Sequence, residues 1–87
     1  MAYKTADEIR EWILDWMSRK LSIKKTSIDA RDSIASYGVD SIMIAEFEGE
    51  ISEYVGFQWP IMDMMIKDPS IDEICQRGEE LGQLQHG

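Results

Sequence analysis

The fold of this chain is set at residues 38–42, Gly-Val-Asp-Ser-Ile, where a loop gives way to a helix. Glycine readily takes the positive φ that ends a turn, and an acidic residue followed by a hydroxyl is typical of a helix N-terminus. Apolar side chains then recur at three- and four-residue steps as far as Val55. Gly56 comes next, and glycine is favoured at the position just after the end of a helix. The sequence therefore predicts helix two from Ser41 to about Val55, with one serine hydroxyl at its start.

Helix two has two faces of different character. The inward face is predicted to hold Ile44, Phe47, Ile51, Tyr54 and Val55. The outward face combines small or apolar residues with carboxylates, and it holds Ile42, Ala45, Glu46, Gly49 and Glu53. Residues 41–56 contain four Glu and no Lys or Arg, so this outward face is better suited to docking a basic partner than to ion pairs within the helix.

The chain before helix two predicts one helix and one long connection. A capping box, Thr5 with Glu8, opens helix one, which should run from about residue 5 to residue 20. Trp12 and Trp16 share one face of this helix and should pack in the core. Residues 21–40 are too long for a plain turn and too thinly apolar for a helix, so we expect a long ordered loop with a short turn near residues 31–36.

Two further helices follow helix two. Pro60 suits the first turn of a short third helix, which should end at Asp68-Pro69. A second capping box at residues 70–73 opens the last helix. Gly78 and Gly82 should weaken the far end of that helix, and residues 83–87 should fray. No stretch has the pattern of a strand, so the predicted fold is all-α: a small four-helix bundle of three longer helices and one short helix.

Length and charge limit the functions open to the chain. Its 87 residues suit one small domain, 1–87, and no apolar run approaches the roughly 18 residues that span a bilayer, so we expect a cytoplasmic protein without a membrane partner. Residues 1–40 contain seven basic and seven acidic residues, whereas residues 41–87 contain two basic and ten acidic residues. The net charge of −8 therefore lies in the second half of the chain. An acidic surface argues against nucleic acid as a partner and favours basic proteins.

The hydroxyl of Ser41 has two interpretations. Ser41 is either an ordinary N-cap, with Asp40 complementing the helix dipole, or the acceptor of an arm linked through a phosphodiester. In the second case the attached anion would lie at the positive end of helix two. A catalytic serine needs a nearby base, and the only histidine, His86, lies in the predicted frayed tail. No residues have metal-ligand spacing, so we expect no catalysis by this chain and no metal.

The pattern at Ser41 resembles a known family. Tyr-Gly-Val-Asp-Ser-Ile at residues 37–42, Ala-Glu-Phe at 45–47, Ile51 and Val-Gly at 55–56 are similar to the modification motif and second helix of acyl carrier proteins, and a weaker similarity extends through Pro60 to residues 68–71. This resemblance implies a 4′-phosphopantetheine arm on Ser41, which holds acyl groups as thioesters. It also implies that a phosphopantetheinyl transferase attaches the arm from coenzyme A with Mg²⁺.

The resemblance also implies partners and a docking surface. The partners would be an acyl-loading enzyme (an acyltransferase or an acyl-adenylate ligase), a ketosynthase and tailoring enzymes, all served by a monomer. The docking positions that match are Asp40, Ile42, Ala45, Glu46, Gly49 and Glu53. Where many relatives have larger apolar residues, this chain has Ala45 and Gly49, so its docking surface should be shallower.

The motif residues resemble those of carriers of the polyketide type more than those of peptidyl carriers of nonribosomal peptide pathways, which implies a role in polyketide or related fatty-acyl biosynthesis. Two alternatives stay open: a peptidyl carrier domain, and an acidic helical interaction domain that carries no modification. A free-standing protein and one domain of a larger synthase are both compatible with the sequence.

Overall fold

The computed structural model describes residues 3–86, without the side chain of His86. Within these residues the chain forms α1 (Ala6–Leu21), α2 (Ser41–Val55), the short α3 (Ile61–Met65) and α4 (Ile71–His86). Two 3₁₀ turns, Lys25–Ser27 and Ile34–Tyr37, lie in the connection between α1 and α2, and no strand is present in this part of the chain. The predicted all-α fold, with three longer helices, one short helix and a long connection, is confirmed.

The first helix begins at the predicted capping box. The Glu8 N–H donates to Thr5 Oγ1 at 3.2 Å, and the Thr5 N–H donates to Glu8 Oε1 at 2.9 Å. The second of these bonds stabilises the charged carboxylate and lowers the pKa of Glu8. Because the box satisfies N–H groups that the helix cannot, α1 has a defined start.

The core lies where α1, α2 and α4 meet. Its largest fully buried side chains are Trp16, Trp59 and Phe47, and the ring centroids of Trp16 and Phe47 lie 4.9 Å apart. Trp12 is only half-buried and stacks on Tyr54 at 5.4 Å between ring centroids. Aromatic contacts therefore join α1 to α2, with Trp16 in the core and Trp12 at its edge.

The connection between α1 and α2 is ordered, as predicted, because it is fastened to the core and to α4. Ile28 and Ile34 are buried. Its backbone carbonyls at Ala30 and Asp32 accept the first two N–H groups of α4, each at 2.9 Å. The predicted turn near residues 31–36 corresponds to the 3₁₀ turn at Ile34–Tyr37.

The far end of α4 differs from the prediction. The helix continues through both glycines to His86, so the predicted fraying from residue 83 is wrong over the described residues; Gly87 lies outside them. A Cβ on Gly78 would lie 2.6 Å from the Trp59 ring, and one on Gly82 would lie 2.8 Å from Tyr3 Cβ. These glycines therefore allow close packing of α4 against the core rather than weakening its end.

Candidate functional site

The N-cap of α2 is Asp40, not Ser41. Asp40 has extended backbone geometry, and its Oδ1 accepts the Met43 N–H at 2.8 Å. Ser41 is the first helical residue. The interpretation of Ser41 as an ordinary N-cap is therefore wrong, because the neighbouring carboxylate already performs that function.

The segment before Ser41 is held by the side chain of Tyr37. Its Oη accepts the Asp29 N–H at 2.7 Å and lies 3.1 Å from Asp32 Oδ2, to which it donates. Gly38 then turns the chain at φ +85°, and Val39 is buried. Anchors on both sides of the glycine turn therefore fix where α2 begins.

An ion pair also fixes the conformation of this loop. The Arg31 guanidinium donates to both carboxylate oxygens of Asp29, at 3.1 and 2.8 Å, and its backbone N–H donates as well. These bonds favour the charged form of the carboxylate and lower the pKa of Asp29 to about 2. The loop therefore keeps this pair through the physiological pH range.

The hydroxyl of Ser41 is exposed and is not used by the fold. Its Oγ makes no hydrogen bond to any group that the structure describes, and no described acceptor pairs with the backbone N–H of Ser41 or of Ile42. A helix N-terminus with free N–H groups favours an anion. The site therefore fits a phosphate-linked group on this oxygen.

The described surroundings of Ser41 do not resemble a catalytic centre. No side chain that the structure describes accepts the hydroxyl proton, as a base would for an activated nucleophile. Cys75 is fully buried, and burial raises the pKa of its thiol to about 12. Within the same range no group of three or more His, Cys, Asp or Glu could hold a metal ion.

The six predicted docking residues all lie on the surface. Asp40, at the helix start, is exposed, and so is each of the outward-face residues of α2: Ile42, Ala45, Glu46, Gly49 and Glu53. The side chain of Ile42, next to Ser41, is 74% exposed, which is unusual for a large apolar residue. A Cβ on Gly49 would meet no atom within 4 Å, so this part of the face is open.

Two contacts made by the acidic side chains of α2 were missed by the sequence reasoning. Lys20, at the end of α1, lies near both Glu46 and Glu50. Glu48 Oε2 accepts the Met62 N–H at 3.2 Å and so joins α2 to the start of α3. Periodicity assigns residues to a face but does not say which other helix faces them, so the sequence offered no signal for either contact.

Comparison with known proteins identifies the family. Residues 11–77 match the family model for the phosphopantetheine attachment site. The chain belongs to this family. Its members are carrier proteins that hold 4′-phosphopantetheine covalently on a serine and work with modifying transferases and synthase enzymes. Searches of curated proteins and of solved structures found no match.

Among the helices formed by residues 3–86, none is long and apolar enough to cross a membrane.

Proposed function

We propose that this chain is a single acyl carrier domain, residues 1–87, whose 4′-phosphopantetheine arm is attached to Ser41. The observation that supports this most strongly is the free hydroxyl of Ser41 at a helix start that Asp40 already caps. Members of the family carry the arm on a serine, and Ser41 has an exposed oxygen that the fold does not use. The free N–H groups beside it favour the phosphate that such a link brings.

The residues of this chain act as acceptor and support in the attachment step. Ser41 Oγ forms a bond to the phosphorus that bears the pantetheine unit of coenzyme A, the pyrophosphate P–O bond breaks, and adenosine bisphosphate leaves. The hydroxyl proton passes to a base of the transferase, since the described part of this chain places none at Ser41. Asp40 holds the helix start in position throughout. Once bound, the arm supplies a thiol that carries acyl groups as thioesters.

The docking surface proposed for the partner enzymes comprises Asp40, Ile42, Ala45, Glu46, Gly49 and Glu53. Charge supports this assignment, since the outward face of α2 carries carboxylates and no basic residue of its own. Long-range attraction raises the rate of encounter with basic partners, while a small and shallow patch keeps release fast. Such a balance suits a carrier that visits an acyl-loading enzyme, a ketosynthase and tailoring enzymes in turn.

The finer proposal is a carrier of polyketide biosynthesis. It rests on the sequence Gly-Val-Asp-Ser-Ile at residues 38–42. In this role the protein that carries the arm would accept acyl groups from an acyltransferase or an acyl-adenylate ligase. It would not accept amino acids from the loading enzyme of a peptide synthase. Preferential loading with amino acids would make it a peptidyl carrier instead.

The attachment proposal is tested by intact mass after incubation with a broad-specificity phosphopantetheinyl transferase, coenzyme A and Mg²⁺. Wild-type protein should gain one phosphopantetheine, and Ser41→Ala should gain none. Ser70→Ala is the matched control, because it removes the hydroxyl at the start of α4 instead. If Ser41→Ala still gains the arm, the assignment of the site is wrong. If folded, unmodified wild type gains nothing, the unmodified interaction domain becomes the better account.

The docking proposal is tested by reversing one exposed charge on α2. Glu53→Lys should slow acyl transfer to partner enzymes at low ionic strength, because it removes attraction at the docking surface. Glu80→Lys on α4 makes the same change in net charge and should slow transfer less. At about 1 M ionic strength, where the Debye length is about 3 Å, the two variants should converge. Equal rates for both variants at low ionic strength would contradict the proposal.

A further inference from the structure

A lysine from α1 lies against the outward face of α2. Lys20 Nζ is 3.8 Å from Glu46 Oε2 and 3.9 Å from Glu50 Oε2. It therefore places a positive charge between two carboxylates that a basic partner would approach.

Lys20 lies close to an aromatic ring of the core. Its ammonium lies 5.9 Å from the ring centroid of Trp16, which is fully buried. The Lys20 side chain is 33% exposed, less than those of Glu46 and Glu50, at 52% and 44%. A side chain packed in this way loses less freedom on pairing than a fully exposed lysine, so its charge stays near the two carboxylates.

The four glutamates of α2 are consequently not equivalent. Glu46 and Glu50 share Lys20, and Glu48 accepts the Met62 N–H at the start of α3. Glu53 makes no ion pair with any other residue of the described chain. The negative potential available to a partner is therefore reduced most directly at Glu46 and Glu50, the two carboxylates next to Lys20.

We propose that Lys20 is a specificity-determining residue, which competes with the Lys and Arg side chains of partner proteins for Glu46 and Glu50. This inference rests on the proposed function, because it concerns the same docking surface. A basic side chain of a partner must displace Lys20 in order to bind Glu46 or Glu50. Otherwise these two carboxylates stay paired with Lys20. Lys20 therefore weakens attraction to basic partners in general and favours those that reach Glu53 or the apolar Ile42.

The test compares Lys20→Gln with Lys24→Gln, using the initial rate of arm transfer by a phosphopantetheinyl transferase. Both variants remove one positive charge, but Lys24 is exposed and forms no ion pair within residues 3–86. At low ionic strength, Lys20→Gln should raise kcat/KM about two- to fivefold above Lys24→Gln, the range expected for one surface ion pair. The difference should vanish at about 1 M ionic strength.

A double-mutant cycle separates competition from a structural effect. In a Glu46→Gln, Glu50→Gln background, Lys20→Gln should no longer change kcat/KM, because the carboxylates for which it competes are absent. Equal kcat/KM for Lys20→Gln and Lys24→Gln would overturn the inference, and so would an increase that persists in the double-glutamine background. Neither result would affect the proposed attachment of the arm, which fails only if the arm is not transferred to Ser41.

Discussion

Helices α2 and α4 begin with similar residues, yet their N-termini are used differently. At α4 the hydroxyl of Ser70 accepts the Glu73 N–H at 3.1 Å, as an N-cap does. The N–H groups of Ile71 and Asp72 donate to backbone carbonyls of the connection between α1 and α2. Both the serine and the donors at this end are therefore used to hold the fold together.

At α2 these groups are left free. Asp40 caps the helix, and the hydroxyl of Ser41 and the N–H groups of Ser41 and Ile42 have no partner among the groups that the structure describes. Ser70 is the N-cap of α4, whereas Ser41 comes one residue after the N-cap of α2. This difference of one position leaves the hydroxyl of Ser41 open to modification. The unused groups lie at the end of the helix where we propose that the arm is attached.

The glycines within the two helices show the same division. Gly49 of α2 faces open space, whereas Gly78 of α4 lies against Trp59 and Ile9. The glycine of α2 leaves the surface of that helix open, whereas the glycine of α4 lets that helix approach the core. The two helices therefore differ along their faces as well as at their ends.

The largest predicted difference is in thiol reactivity, between the thiol of Cys75 on α4 and the thiol that the arm adds at the start of α2. Cys75 of α4 is buried with a pKa of about 12, raised from 9.0, so on the order of a thousand times less thiolate forms at neutral pH. A colorimetric thiol reagent should label the folded, unloaded protein very slowly. Transfer of the arm should add one fast-reacting thiol. Rapid labelling of Cys75 in folded, unloaded protein would contradict the burial of this side chain.

Adding a methyl group should have opposite effects on the two glycines. Gly78→Ala should lower the free energy of unfolding by about 1–3 kcal/mol, because its Cβ overlaps Trp59. Gly49→Ala should raise the free energy of unfolding by up to about 1 kcal/mol, since alanine is the better helix former and no atom lies near. Urea unfolding measures both. A stable Gly78→Ala protein would show that α4 is not closely packed at that point.

The smallest predicted differences concern the caps. Asp40→Ala and Ser70→Ala should each cost about 1 kcal/mol in the free energy of unfolding, because each removes an N-cap. Ser41→Ala should change the free energy of unfolding by only a few tenths of a kcal/mol, since its hydroxyl bonds to nothing in the described chain. An equal cost for Ser41→Ala and Ser70→Ala would erase the proposed distinction between the two serines.

Much of the fold could be predicted from the sequence because its signals are local. The capping boxes at Thr5 and Ser70 and the glycine after Val55 are read from a few adjacent residues, and each marks a helix end in the structure. The apolar period of α2 likewise identified its buried face, including Phe47 and Ile51.

The remainder depended on contacts that periodicity does not encode. Asp40 and Ser41 are both good N-cap residues, so residue preference alone does not say which of them takes the position, and in the structure it is Asp40. The contact of Gly78 with Trp59 and the position of Lys20 beside α2 each join elements far apart in sequence. These features follow from packing between helices.

The most direct test of this account is fragment mass mapping of the wild-type protein after loading with coenzyme A, Mg²⁺ and a phosphopantetheinyl transferase. The account predicts one phosphopantetheine, on the fragment that contains Ser41, with Ser70 and every other serine unmodified. An arm on any other serine would contradict it. An arm on Ser70 would do so most directly, because that hydroxyl is bonded to the helix it begins.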